Sequence, residues 1–137
     1  MAQATPPMVM VVDDQALFRR SLQDRLRSVG YDVVSAENGL EALELLEATS
    51  GTCVVLLDLM MPVMNGIEFL QALDRRPEAS KVRVMLVSTA GVLDRVSLDS
   101  PRIVARLQKP VEMGELKSAL ESELGPATAR PPSGSLN

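Results

Sequence analysis

Residues Val54-Val55-Leu56-Leu57 form an unbroken apolar run that ends in Asp58-Leu59-Met60-Met61-Pro62-Val63-Met64-Asn65-Gly66. A short apolar run with no polar alternation predicts a strand buried on both faces, the pattern of a parallel sheet covered by helices on either side. Pro62, Asn65 and Gly66 predict a turn directly after it. Asp58 therefore stands at the carboxyl end of a buried strand, the side on which open α/β sheets bind their ligands. An aspartate there is also an ordinary turn cap, so the rest of the chain has to separate the two readings.

The same pattern recurs along the chain. Met8–Val12 predicts a second fully buried strand, and it too ends in acids, Asp13-Asp14. From Gln15 to Val29 the residues Phe18, Leu22, Leu26 and Val29 fall at helical spacing opposite Arg19, Arg20, Gln23 and Arg27, with Gly30 as the C-terminal stop. Val33-Val34 marks a short strand, and Asn38-Gly39 leads into a helix over Leu40–Ala48. After the Asp58 turn, Ile67, Leu70 and Leu73 predict a helix that stops before Pro77. Val82–Val87 predicts strand four, running into Ser88-Thr89-Ala90-Gly91, and Val92, Leu93 and Val96 give a helix of barely two turns. Ile103–Leu107 predicts strand five, ended by Lys109-Pro110, and Leu116, Leu120 and Leu124 define a last amphipathic helix.

Five strands alternating with five helices predict an α/β fold, a doubly wound parallel sheet in the flavodoxin-like order 2-1-3-4-5, with helix 4 short or irregular. The expected domain covers residues 8–124. Residues 1–7 read as a flexible N-terminal arm, and the Pro- and Gly-rich residues 125–137 as a disordered tail or linker.

Composition narrows the function. The 137 residues suffice for one domain with a core, and a net charge of −4 argues against direct nucleic acid binding, which rewards clustered Lys and Arg. No apolar run is long enough to span a bilayer, so a cytoplasmic location is expected. The single cysteine, Cys53, lies beside an apolar strand where a buried thiol is ordinary. Histidine is absent, which removes His-dependent nucleophilic triads, imidazole zinc sites and a self-contained histidine kinase. Chemistry here must use carboxylates, hydroxyls and lysine.

In the order 2-1-3-4-5, strands 1 and 3 are neighbours, so Asp13, Asp14 and Asp58 meet in one cleft. Two unit charges about 4 Å apart interact by about 4 kcal/mol at an effective dielectric of roughly 20. Either one acid stays protonated or a divalent cation sits among them. An all-oxygen site suits Mg²⁺, which keeps several waters and accepts phosphate oxygens. Lys109 and Ser88 add an ammonium and a hydroxyl to the same rim, a combination that fits phosphoryl transfer.

These residues resemble the receiver domain of bacterial response regulators, the phosphoacceptor half of two-component signalling, as in chemotaxis-type single-domain receivers. The resemblance rests on Asp13-Asp14 after strand 1, Asp58 within Asp-Leu-Met-Met-Pro-Val-Met-Asn-Gly after strand 3, Ser88 after strand 4 and Lys109-Pro110 after strand 5, and it covers residues 8–124. It implies that Asp58 takes a phosphoryl group from a phosphohistidine on a sensor histidine kinase or phosphotransfer protein, and that the switched surface is read by a downstream protein. It implies that Asp14, Asp58 and the backbone carbonyl of Met60 ligate Mg²⁺, with Asp13 acting through a metal-bound water. Lys109 would pair with the phosphoryl oxygens, and Ser88, with Thr89 as the neighbouring alternative, would hydrogen-bond one of them. The Lys109–Pro110 peptide would be cis. Such a domain is a signalling module that catalyses its own phosphorylation and dephosphorylation, not a conventional enzyme.

Simpler roles stand beside these: Asp13 and Asp14 as helix caps, Lys109 as a solvated lysine, and Met60, Met61 and Met64 as packing. An aspartyl-phosphate phosphohydrolase of the haloacid dehalogenase type is the enzyme alternative, but the second acid that family places two residues after its nucleophile is here Met60. The chain also departs from the receiver pattern. Arg106 stands three residues before Lys109, where receivers usually carry a Tyr or Phe that reports phosphorylation, and Val111 stands where Phe often follows Lys-Pro. A degenerate receiver used as a protein-binding scaffold is therefore a further alternative, and the altered face is that of helix 4, strand 5 and helix 5.

Overall fold

A computed structural model describes residues 7–49, 51–95 and 100–125. The expected N-terminal arm, apart from its last residue, and the expected tail after Gly125 lie outside the described residues, as does Val96 of helix 4. The strands are β1 (Met8–Val12), β2 (Asp32–Ala36), β3 (Cys53–Leu57), β4 (Val82–Ser88) and β5 (Ile103–Gln108). They alternate with α1 (Ala16–Ser28), α2 (Gly39–Glu47), α3 (Gly66–Asp74), α4 (Ala90–Arg95) and α5 (Met113–Leu124). All strand pairs are parallel and the order is β2-β1-β3-β4-β5, as the alternation predicts.

Period two along each strand divides the core into two layers. Met10, Val12, Val55, Leu57, Val84 and Leu86 point toward α2 and α3, meeting Leu43, Leu46, Phe69 and Leu73. Val9, Val11, Val54, Leu56, Met85 and Val87 point the other way, toward Leu22 and Leu26 of α1 and Leu116 and Leu120 of α5. Every residue of β3 is buried, which is why its sequence has no polar alternation. Cys53 is the first residue of this strand and not its predecessor, and burial pushes its thiol up to about 12, so it stays an inert core group.

The helix ends follow local chemistry. Asn38 and Asn65 cap α2 and α3 by accepting the N–H groups of Glu41 and Glu68, and Asn65 with Glu68 forms a reciprocal capping box. Gly30 follows the α1 cap with φ at 104°, a conformation that favours glycine. One element was not expected, a 3₁₀ turn over Pro77–Lys81 with Pro77 in its first turn. Helix α4 is described over 6 residues, Ala90–Arg95, and residues 96–99 after it lie outside the described residues.

Candidate functional site

Register brings the acids together. Val12 is paired with Leu57, so the next residues, Asp13 and Asp58, leave the sheet side by side, with the Asp58 N–H donating to the Val12 carbonyl at 3.1 Å. Both carboxylates are then fixed by the same local device, accepting an N–H two residues on: Gln15 N–H to Asp13 Oδ1 at 2.8 Å, and Met60 N–H to Asp58 Oδ1 at 3.2 Å. Gly66 holds the Asp58 turn closed. Its N–H donates to the Leu59 carbonyl, and a Cβ there would lie 2.8 Å from the Asp58 carbonyl oxygen, so no larger residue fits. Gly39 clasps the far side of the same loop by donating its N–H to the Met64 carbonyl at 3.2 Å.

β4 and β5 supply the other groups. Ser88 is the last residue of β4, buried, and its hydroxyl donates to Asp58 Oδ1 at 3.3 Å. Thr89 is exposed and lines the same cleft, while its carbonyl starts α4. The geometry therefore gives the Asp58 contact to Ser88. Lys109 follows β5, anchored by its N–H on the Ser88 carbonyl at 2.9 Å, and its peptide bond to Pro110 is cis, as the resemblance implied. Its Nζ lies 2.7 Å from Asp13 Oδ2 and 3.4 Å from Asp58 Oδ2, and its side chain is only 15% exposed, so it is not a solvated lysine.

Asp13, Asp14 and Asp58 each offer a carboxylate oxygen within 4.8 Å of the others, with Asp13 and Asp58 buried and Asp14 exposed at the mouth. An all-oxygen, net-anionic set open to water on one side fits Mg²⁺, which retains part of its hydration shell. Burial is the main cause that raises the Asp58 carboxyl above its usual range. The Met60 N–H opposes it, Asp13 adds to it, and Lys109 opposes it again. Burial alone would lower the Lys109 ammonium, but the hydrogen bond and charge of Asp13, then of Asp58, outweigh it and raise it. The ammonium is therefore charged, and the site has a fixed cation beside its acids.

The cleft, about 380 Å³, is lined by Asp14, Gln15, Asp58, Met60, Ser88, Thr89 and Lys109. Met61 and Met64 pack against the core, as expected, but Met60 is 64% exposed at the rim. Val63 has φ at 68°, and the Met64 N–H donates to the Pro62 carbonyl at 2.7 Å, a tight γ-turn that is strained for a β-branched residue. Sequence reasoning missed Gln15 and Phe18 as neighbours of Lys109. Gln15 Oε1 is 3.5 Å from Nζ, and Nζ is 4.4 Å from the Phe18 ring centroid. Their separation from Lys109 along the chain left no local signal for either.

Residues 9–121 match the response regulator receiver domain. The chain belongs to that family. The Helicobacter pylori chemotaxis protein CheY1 is 31% identical over 119 residues, spanning 85% of this chain and 96% of that protein. The probable transcriptional regulator ycf27 of Porphyridium aerugineum is 37% identical over 116 residues, 85% of this chain but 47% of that protein. This receiver thus spans about half the length of the ycf27 relatives it matches. A response regulator receiver protein from Pseudomonas putida superimposes with a TM-score of 0.72 at 27% identity, over 88% of this chain and 99% of that one. A CheY-like receiver from Methanospirillum hungatei shares the fold, with a TM-score of 0.74 at 24% identity over 90% of this chain and 98% of that one.

Receivers are signalling modules that work with histidine kinases or phosphotransfer proteins and bind Mg²⁺ at an acidic cluster. This receiver has such a cluster. Among the described residues, no helix is long and apolar enough to cross a membrane.

Proposed function

We propose that residues 8–124 are the phosphoacceptor unit of a cytoplasmic two-component phosphorelay, and that Asp58 is the residue phosphorylated. A carboxylate oxygen of Asp58 attacks the phosphorus of a phosphohistidine on a sensor histidine kinase or phosphotransfer protein. The new P–O bond forms as the P–N bond breaks, and the electron pair of that bond leaves with the imidazole nitrogen. The observation that carries this reading is the position of Lys109 Nζ, within reach of Asp13 Oδ2 and Asp58 Oδ2 at one edge of an open cleft, with the Ser88 hydroxyl on the other Asp58 oxygen.

Each residue then has a task. Lys109 neutralises the phosphoryl oxygens as they approach an anionic nucleophile, where fixed charge acts most strongly. Ser88 exchanges its bond to Asp58 for one to a phosphoryl oxygen, drawing the start of α4 toward the site. Asp14, Asp58 and the Met60 carbonyl would hold Mg²⁺, with Asp13 acting through a bound water, and the bound ion would supply charge neutralisation along the same path. Phosphorylation then alters a surface read by a downstream protein. Arg106 favours a second reading, a scaffold that binds partners without phosphorylation, whereas the full set of charged site residues supports the first.

Incubation with acetyl phosphate and Mg²⁺ tests the proposal. One phosphoryl group per chain is expected, lost on chelation of the metal and absent in Asp58→Asn. Labelling that survives Asp58→Asn overturns the assignment, and no Mg²⁺ binding at millimolar metal favours the scaffold.

A further inference from the structure

Phe18 lies in the first turn of α1, half-buried, where an apolar groove of about 560 Å³ runs between α1 and the β5–α5 turn. Leu17, Leu22, Pro110, Val111 and Met113 line that groove with it, and Lys109 lines both the groove and the acidic cleft. The Lys109 ammonium has three hydrogens and three oxygens within reach: Asp13 Oδ2 at 2.7 Å, Asp58 Oδ2 at 3.4 Å and Gln15 Oε1 at 3.5 Å. The Phe18 ring, with its centroid 4.4 Å from Nζ, makes a fourth contact.

We propose that Phe18 is a positioning residue, whose ring face holds the Lys109 ammonium over the cleft so that an incoming phosphoryl oxygen meets it there. This rests on the proposed phosphoacceptor role of Asp58. The chemistry of the fourth contact is what matters. An aromatic face attracts a cation through its quadrupole but offers no lone pair. A carboxylate in its place would compete with the phosphoryl group for the ammonium. The ring lets Nζ exchange Asp58 Oδ2 for a phosphoryl oxygen while the ammonium keeps its place. Van der Waals bulk alone would also block the groove side, so the test has to separate shape from charge distribution.

The full chain is prepared with Phe18→Leu, Phe18→Tyr and, by site-specific incorporation, mono-, di- and trifluorinated phenylalanine at position 18. Fluorine withdraws density from the ring face and leaves its outline nearly unchanged. Labelling of Asp58 by acetyl phosphate at saturating Mg²⁺ is expected to slow about 3- to 10-fold in Phe18→Leu. It should stay at the wild-type rate in Phe18→Tyr and fall stepwise with each fluorine. NMR relaxation of the Lys109 Cε group in the unphosphorylated, metal-free protein gives a readout independent of turnover. Its order should drop in Phe18→Leu, drop progressively with fluorination, and hold in Phe18→Tyr. If Phe18→Leu does not fold, the fluorinated series still decides. Lys109 order that stays constant across that series overturns the proposal, whatever the labelling rates. A wild-type chain that takes no label counts against the phosphoacceptor reading instead, and the relaxation data then decide the role of Phe18 alone.

Discussion

β3 and β5 belong to one sheet and differ in almost everything else. β3 sits at the centre, buried at every position, and ends in the acid on which the site is built. β5 forms an edge, has a single fully buried residue, Leu107, and pairs with β4 through a register shift at Val84/Met85. A central strand is defined by what presses on both its faces, so its side chains are determined by packing and its end is held in place. An edge strand has latitude, and this chain uses it: Arg106 stands exposed on β5 where receivers usually carry an aromatic residue. The acidic cleft at the end of β3 and the outer surface of β5 are therefore under separate packing constraints. One can be retained while the other changes.

Truncation should expose the difference most sharply. Leu57→Ala removes a fully buried side chain from β3 and is expected to destabilise the fold by about 2–5 kcal/mol. Val104→Ala on the half-buried β5 should cost about 1 kcal/mol or less, and comparable urea-melt values for the two would break the contrast. Next in size, Lys109→Met joins the two strands' contributions at the site. Loss of its ammonium should slow phosphorylation of Asp58 about 100-fold or more, by analogy with removing one donor from a preorganised charge-stabilising site. A rate within threefold of wild type would detach β5 from the chemistry.

A smaller effect has the opposite sign. The Asp58 carboxyl is raised above its ordinary 3.8, chiefly by burial. The folded chain therefore binds that proton more tightly than the unfolded chain does. Its contribution to stability is neutral at pH below the unfolded value, and becomes a penalty as pH rises through the raised folded value. Asp58→Asn should thus stabilise the metal-free protein at pH 7 by about 1 kcal/mol, a difference that vanishes at pH below the unfolded value, so that the variant's acid limb is the steeper of the two; a lower melting temperature than wild type at pH 7 would contradict the sign. Lys109 is also raised, so its dependence on pH has the same slope, but at pH 7 it contributes stability, present below 10.5 and lost as pH climbs through the higher folded value. Smallest of all, Arg106→Tyr should leave stability within about 0.5 kcal/mol and the labelling rate unchanged, because the residue is exposed on the edge strand. A large loss of labelling would show that edge and centre are coupled after all.

The same contrast explains what could be read from the amino-acid order. β1 and β3 stand out as unbroken apolar runs, and their acids follow directly, so strand order, the Asp13/Asp58 pairing and the Lys109 position were all legible from pattern. Helix starts differ by one residue from the expected ones, at Gly39, where the Asn38 side chain caps α2, and at Ala16, where α1 begins without a side-chain cap. Phe18 reads as one more apolar residue on the inner stripe of α1. Its contact with Lys109 arises only when β5 returns beside α1. Gly66 reads as a turn residue, but the 2.8 Å approach that excludes a side chain there is a tertiary fact. The strained Val63 has no sequence signal either, because a β-branched residue at positive φ contradicts local preference.

Borohydride reduction of the phosphorylated chain, followed by peptide mass spectrometry, identifies the residue that carries the phosphoryl group, because it reduces an acyl phosphate and leaves phosphoserine intact. Conversion of Asp58, at the end of the buried strand, to homoserine is expected in the wild-type chain, with no conversion elsewhere. Conversion at Asp13 or Asp14, or a phosphoryl group recovered on Ser88, would contradict the role proposed for Asp58.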